Sequence, residues 1–320
     1  MLKSNEFLQD PDQTESLNAL QLYNLKIDTI PKLLDPFLQQ IGLASLVGSS
    51  DTGKSTFLRQ LSLAIALKLD SFLTFPLNTV SNKVIYVSTE DDASSVSFAI
   101  RKQFTAFQLA HQNLDLDLLK NIEYIFDTTN LLNQLTTRLE KQQYDLIVID
   151  AFTDVFTKEL NANTQVRQFL NDFDKLAKKH NCLILFLHHI GKKTMRYDPS
   201  KNSIIGTQAF EAKMRVVLEL RSNFINSTLK ELWVLKANFL NSQYKINSYI
   251  LDFGKDLMFA NTGERGLTQN SKKNDPEVIK KVMEMHRTKL SYRDIALKLS
   301  KTKYALSKSV VGEIVKANKE

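Results

Sequence analysis

The sequence predicts an α/β fold: a mostly parallel twisted sheet flanked by helices, then antiparallel strands, then a small all-α unit. Three observations carry this. Short, nearly all-apolar runs recur between Leu43 and His189, as strands buried on both faces do. Stretches with helical spacing separate them, the alternation that lays helices on both faces of a parallel sheet. After Gly206 the apolar runs come closer together, which favours antiparallel neighbours over crossover connections.

Residues 1–40 begin polar and then carry "IPKLLDPFLQQIG", where Ile30, Leu33, Leu34, Phe37 and Leu38 offer a short apolar face. A docking segment ahead of the first core strand is expected there. Residues 41–260 form the body. It opens with "LASLVG", a short apolar run ending in glycine, followed by a glycine loop and the helical "KSTFLRQLSLAIALKL". Further strands are expected at "KVIYVST" (83–89), "IEYIF" (122–126), "YDLIVID" (144–150) and "CLILFLHH" (182–189). Helices are expected over 92–110, 130–141 and 164–179. The closer runs are "RVVLEL", "ELWVLKANF" and "KINSYILDF". Residues 261–276, "NTGERGLTQNSKKNDP", show no apolar period and read as a linker to a helical unit over 277–320. No repeat or low-complexity tract is visible.

The stretch "GSSDTGKST", Gly48 to Thr56, carries the first chemistry. Its Gly48, Gly53, Lys54 and Ser55 match G-x-x-x-x-G-K-[ST], and an apolar strand precedes it while an apolar helix follows. The glycines permit backbone angles that turn N–H groups inward around phosphates. Lys54 brings a positive charge to the β/γ-phosphates, and the Ser55 hydroxyl can ligate Mg2+. The helix starting here points its positive end at the anion. Ser49, Ser50, Asp51, Thr52 and Thr56 complete the expected lining. ATP and Mg2+ are the expected ligands.

Asp150 ends "DLIVID", where a carboxylate at a strand end can hold the Mg2+ shell opposite Ser55. Glu90, just past "VIYVST", is the candidate to orient or deprotonate water. The same "TEDD" also suits a helix N-terminus, with Asp92 as its cap. "FLHHIGKK" supplies His188 and His189. Neighbours on a strand face opposite sides, so a polar sensor role at the strand end, with His189 as the active member, fits better than a zinc site. One core and one surface histidine is the alternative.

The loop, "YVSTED", "LIVID" and "LFLHHIGKK", in that order and spacing, resemble the RecA-like ATPases of the hexameric plasmid replicative helicase type, RepA-like and related to DnaB. The resemblance spans about residues 30–255. It implies ATP hydrolysis in a homo-oligomer, as a hexameric ring, in plasmid or mobile-element replication. It further implies a nucleotide held between subunits and a basic finger from the neighbour. Arg215, in "GTQAFEAKMRVVLEL", matches that finger, and Lys236, in "VLKANF", matches a second basic position. The loop after the histidines, with Lys192, Lys193 and Arg196, matches the channel loops that touch single-stranded DNA. The chain departs from the pattern twice: "LKANF" lacks a second arginine, and Asp150 is followed by alanine rather than a second carboxylate.

Charge adds a separate signal. The chain has 320 residues and a net charge of +7. From Ser271 to Glu320 there are 13 Lys/Arg and 6 Asp/Glu, so the tail holds the whole excess. A basic module on a neutral body fits a polyanion partner. Within it, Asp275-Pro276 starts a helix, Ser291 caps "YRDIALKL", and Ser307 caps "KSVVGEIVKANK". The pattern resembles a helix-turn-helix whose second helix presents Lys308, Ser309 and Lys316 to duplex DNA. A helical bundle used for docking is the other reading. A single cysteine excludes a disulfide framework. No apolar run reaches the roughly 18 residues of a membrane helix, and the N-terminus turns polar at once. A cytoplasmic protein is therefore expected. The competing functional reading is a DNA-binding regulator or loader that uses ATP as a switch.

Overall fold

The computed structural model describes residues 16–111, 113–191, 198–206, 208–223, 226, 228–268, 272–300, 302 and 304–318. Among these residues the main sheet has nine strands. They are β1 (Gly42–Gly48), β2 (Val84–Ser88), β3 (Ile122–Ile125), β4 (Leu146–Asp150), β5 (Leu183–His189), β6 (Val216–Ser222), β7 (Leu229–Ala237), β8 (Asn247–Phe253) and β9 (Phe259–Leu267). Their spatial order is β9-β8-β7-β6-β1-β5-β4-β2-β3. The six strands from β3 to β6 run parallel. β6, β7, β8 and β9 are joined by antiparallel pairing. The mostly parallel sheet with an antiparallel extension is as the sequence predicts.

The sheet alternates its side chains between two apolar layers. Ala44 and Leu46 of β1 face the layer built on helix α1 (Lys54–Ala66), with Phe57, Leu58 and Leu61. Leu43 and Val47 face the layer that contains Leu135 of α3 (Leu131–Leu139) and Leu170 and Phe173 of α4 (Asn163–Lys179). Helix α2 (Ala93–Ala110) starts at Asp92, whose side chain accepts from the Ser95 N–H. Burial on both faces explains why the parallel strands read as continuous apolar runs.

Two segments differ from expectation. The stretch around Leu33 forms a small ribbon, Lys32–Leu34 against Leu38–Gln39, rather than an isolated face. Leu33, Leu34, Phe37 and Leu38 are buried in the main core, while Ile30 is 38% exposed. Ahead of it, Ala19–Tyr23 is a short helix that buries nothing. The second difference is β9, which takes in residues 261–267 of the expected linker. Only Phe259 of this strand is buried. An edge strand that packs one residue carries no apolar period, and so the pattern missed it.

The last helices are α6 (Pro276–Arg287), α7 (Tyr292–Leu299) and α8 (Lys308–Ala317), after α5 (Gln208–Lys213) in the body. Asp275, Ser291 and Ser307 are their N-caps. Val282, Ile295, Leu299, Val311 and Val315 form a separate apolar core for this unit. No helix among the described residues is long and apolar enough to cross a membrane.

Candidate active site

The parallel order brings the C-terminal ends of β1, β5, β4 and β2 to one edge, and the predicted site collects there. Loop 48–53 joins β1 to α1. Gly53 has φ +89°, and a Cβ on it would lie 2.9 Å from the Phe259 ring. A Cβ on Gly48 would lie 2.4 Å from the Leu220 carbonyl oxygen. Both positions therefore exclude larger residues for steric reasons that sequence matching alone does not supply. Lys54 Nζ donates to the Ser49 carbonyl at 2.6 Å, and Thr52 Oγ1 donates to the same oxygen at 3.0 Å. Burial pushes the Lys54 ammonium below the usual lysine value, and the charges of Asp150, Glu90 and Asp51 oppose that shift.

Asp150 sits two strands away from β1, opposite Ser88 in register. Burial raises its carboxyl above the usual range, while the Tyr86 hydroxyl and the Ser55 side chain draw it down. Tyr86 OH donates to Asp150 Oδ2 at 2.7 Å, while the buried Oδ1 has no hydrogen-bond partner. An orphaned carboxylate oxygen beside Ser55 is what a hydrated Mg2+ would satisfy. Mg2+ keeps several waters and takes its remaining ligands from phosphate. The absence, among the described residues, of any cluster of three His, Cys, Asp or Glu is consistent with such a two-residue site. Ser55 and Asp150 are thus the residues that would hold the ion.

Glu90 and His189 meet at this edge. Glu90 is exposed, and its Oε1 lies 3.8 Å from His189 Nε2. His189 pairs in register with Gly48, the first residue of the glycine loop. Burial and the charge of Lys54 lower its pKa, against the pull of Glu90 and Asp154. The sequence put no acidic residue near the histidines, since Glu90 is distant along the chain. His188 points the other way. Its ring packs between Phe152 and Phe210, with centroids at 5.1 and 4.6 Å, and Nε2 donates to the Ile205 carbonyl at 2.8 Å. Burial lowers its pKa to about 4, so it is a neutral core histidine at pH 7.

Arg215 and Lys236 do not join this cluster. The Arg215 N–H donates to the Leu43 carbonyl, at the start of β1. Seven strand residues at about 3.3 Å each place it about 20 Å from the glycine loop. Its Nη1 donates to Gln39 at 3.2 Å. Lys236 pairs with Glu211 at 3.1 Å, at the same far edge. Lys192, Lys193 and Arg196 lie outside the described residues. Lys308, Ser309 and Lys316 are exposed on α8, opposite its buried Val311 and Val315.

The sequence reading missed Tyr86, Arg59 and Thr89. Arg59 is 3% exposed and pairs with Asp91 at 2.8 Å. The Ala151 N–H donates to Thr89 Oγ1 at 2.9 Å, tying the turn before Glu90 to the residue after Asp150. A tyrosine inside the otherwise apolar "KVIYV" was the available signal, because a buried hydroxyl needs a partner.

Comparison with known proteins adds the family. The model of the AAA domain family matches residues 11–195, more than half of the chain. The chain belongs to the AAA domain family. No curated protein matches it. Among solved structures, the ATPase domain of a helicase superposes with a TM-score of 0.54 at 12% identity, covering 76% of this chain and 95% of that one. At that identity the likeness speaks for the fold, which is the RecA-like α/β fold. Within this AAA chain, then, the glycine loop and Asp150 are the nucleotide-binding elements of a P-loop ATPase.

Proposed function

We propose that this AAA chain is a Mg-ATP-dependent ATPase that acts on DNA as a homo-oligomeric ring, a helicase-like motor of plasmid or mobile-element replication. The observation that carries the chemistry is the meeting of Lys54, Ser55, Asp150, Glu90 and His189 at one sheet edge, with Asp150 Oδ1 unsatisfied. Lys54 and the loop neutralise the phosphates, and Ser55 with Asp150 holds Mg2+. Glu90 orients the attacking water, and His189 ties that carboxylate to the strand beside the loop. Arg215 and Lys236 lie too far off for this chain's own phosphates, so they serve a neighbour's. The charge of the C-terminal unit and the basic loop at Lys192, Lys193 and Arg196 support DNA as the partner.

ATP hydrolysis with and without single-stranded DNA, with Lys54→Ala alongside, tests this. The expected result is stimulation by DNA and a loss of at least about a hundredfold in Lys54→Ala. Slow turnover that DNA leaves unchanged favours the second reading, an ATP-switched DNA-binding regulator or loader. That reading draws on the separate core of α6–α8, a self-contained unit with three capped helices.

A further inference from the structure

Among the buried polar groups, Tyr86 has the most constrained surroundings. Its side chain is fully buried. The ring stacks on Tyr124 at 5.2 Å and 29°, and the Arg59 guanidinium lies 5.9 Å from its centroid. Arg59 is fixed in turn by Asp91, the residue after Glu90. Held on both faces, the ring delivers its hydroxyl to one place, 2.7 Å from Asp150 Oδ2 and 3.3 Å from the Ser55 carbonyl oxygen.

We infer that Tyr86 is a positioning residue that fixes Asp150 for the metal. A phenol has one proton to give, and the shorter contact gives it to Oδ2. That oxygen is then spent, the carboxylate cannot turn, and Oδ1 is left as the oxygen offered to the water shell of Mg2+. The hydroxyl also touches the backbone of Ser55, so one group gauges the separation of the two residues that would hold the ion. Outer groups that orient a ligating carboxylate typically change metal affinity by about 10–100-fold when removed. The inference rests on the reading of Ser55 and Asp150 as the Mg2+ site.

The test is Tyr86→Phe, which removes one oxygen and keeps the ring. Binding of a fluorescent ATP analogue is measured in EDTA and across a Mg2+ titration, with thermal melting as a control for folding. The expected result is unchanged binding in EDTA and a half-saturating Mg2+ concentration raised by about tenfold or more. Equal Mg2+ dependence in variant and wild type overturns the inference, as does an equal loss with and without Mg2+, which marks a merely structural hydroxyl. If wild type itself shows no effect of Mg2+ on binding, the metal reading fails first and separately. Should Tyr86→Phe not fold, a single 13C label at Cζ of Tyr86 in wild type gives the same decision. Its signal shifts when Mg2+ joins bound nucleotide if the inference holds, and stays put if it does not.

Discussion

The two ends of β1 carry opposite kinds of polar chemistry. At the C-terminal end, groups from four strands face one another with their needs unmet: Asp150 Oδ1 has no partner, and Lys54 is held by a carbonyl of its own loop. At the N-terminal end, polar groups fasten the structure. Asp145 accepts the N–H groups of Val80, Ser81 and Asn82 at 2.9, 3.0 and 2.6 Å. Lys236 is taken up by Glu211 and two carbonyls, and Arg215 by Gln39. Parallel strands send all their C-terminal ends to one edge, so a site accumulates there, while the opposite edge needs its polar groups to anchor incoming loops. Arg215 is the residue on which this contrast can fail, because a structural partner and a role toward a neighbour's nucleotide compete for it.

Arg215→Ala therefore carries the largest expected effect. If the arginine reaches a neighbour's γ-phosphate, turnover falls by about a thousandfold while nucleotide binding persists. Mixing Arg215→Ala with Lys54→Ala subunits restores part of the activity, since some interfaces then pair an intact loop with an intact arginine. Turnover near wild type would place Arg215 with Asp145 among the fasteners and leave the far edge purely structural.

Asp145 is the opposite case. Asp145→Ala removes the acceptor for three backbone donors and costs about 3 kcal/mol of stability, read as a lower urea midpoint. Nucleotide affinity measured well below that midpoint stays at the wild-type value. A stable Asp145→Ala protein with weakened ATP binding would break the division between the two ends.

How much of this was legible follows the same line. The glycine loop is local, so "GSSDTGKST" announced itself, and the parallel strands did so through unbroken apolar runs. Asp150, Glu90 and His189 were reachable because each ends such a run, and the topology does the rest. What escaped were pairs joined only in space: Tyr86 with Asp150 across 64 residues, Arg59 with Asp91 across 32, and Asp145 with Val80 across 65. No spacing rule encodes these contacts. The position of Arg215 and Lys236 escaped too, because a motif gives a residue type and not the end of the strand on which it falls. β9 was hidden for a different reason, as an exposed edge needs no apolar signature.

His188 sharpens the contrast from within one dipeptide, since His189 faces the site and His188 faces the core. The His188 pKa is about 4 in the folded chain, against an ordinary value of 6.5. Between these values the unfolded chain binds a proton that the folded chain refuses. Its contribution to stability is thus complete above pH 6.5 and is lost as pH falls toward 4. From pH 7 to 4.5 wild type loses about 2.5 kcal/mol through this group. Urea melts of wild type and His188→Phe at the two pH values isolate it: the variant lacks that increment. Equal pH dependence in both would mean that His188 keeps its proton in the fold and belongs with the chemistry of its neighbour.

The smallest effect lies in the C-terminal unit, where the rule of met and unmet polar groups can be tried on lysines alone. Lys273 is paired with Glu313 at 2.6 Å. Among the described residues neither Lys308 nor Lys316 makes an ion pair, and both are exposed on α8. If α8 lies against DNA phosphates, Lys308→Ala and Lys316→Ala each lower the slope of log affinity against log salt by about 0.9, the value for one neutralised phosphate. Lys273→Ala, whose charge is already matched, leaves the slope where it was. Fluorescence anisotropy on duplex DNA at several salt concentrations reads all three. Equal slopes throughout would move the DNA-facing surface off α8, and a shift in Lys273→Ala alone would show that a charge satisfied within the fold can still be lent to a partner.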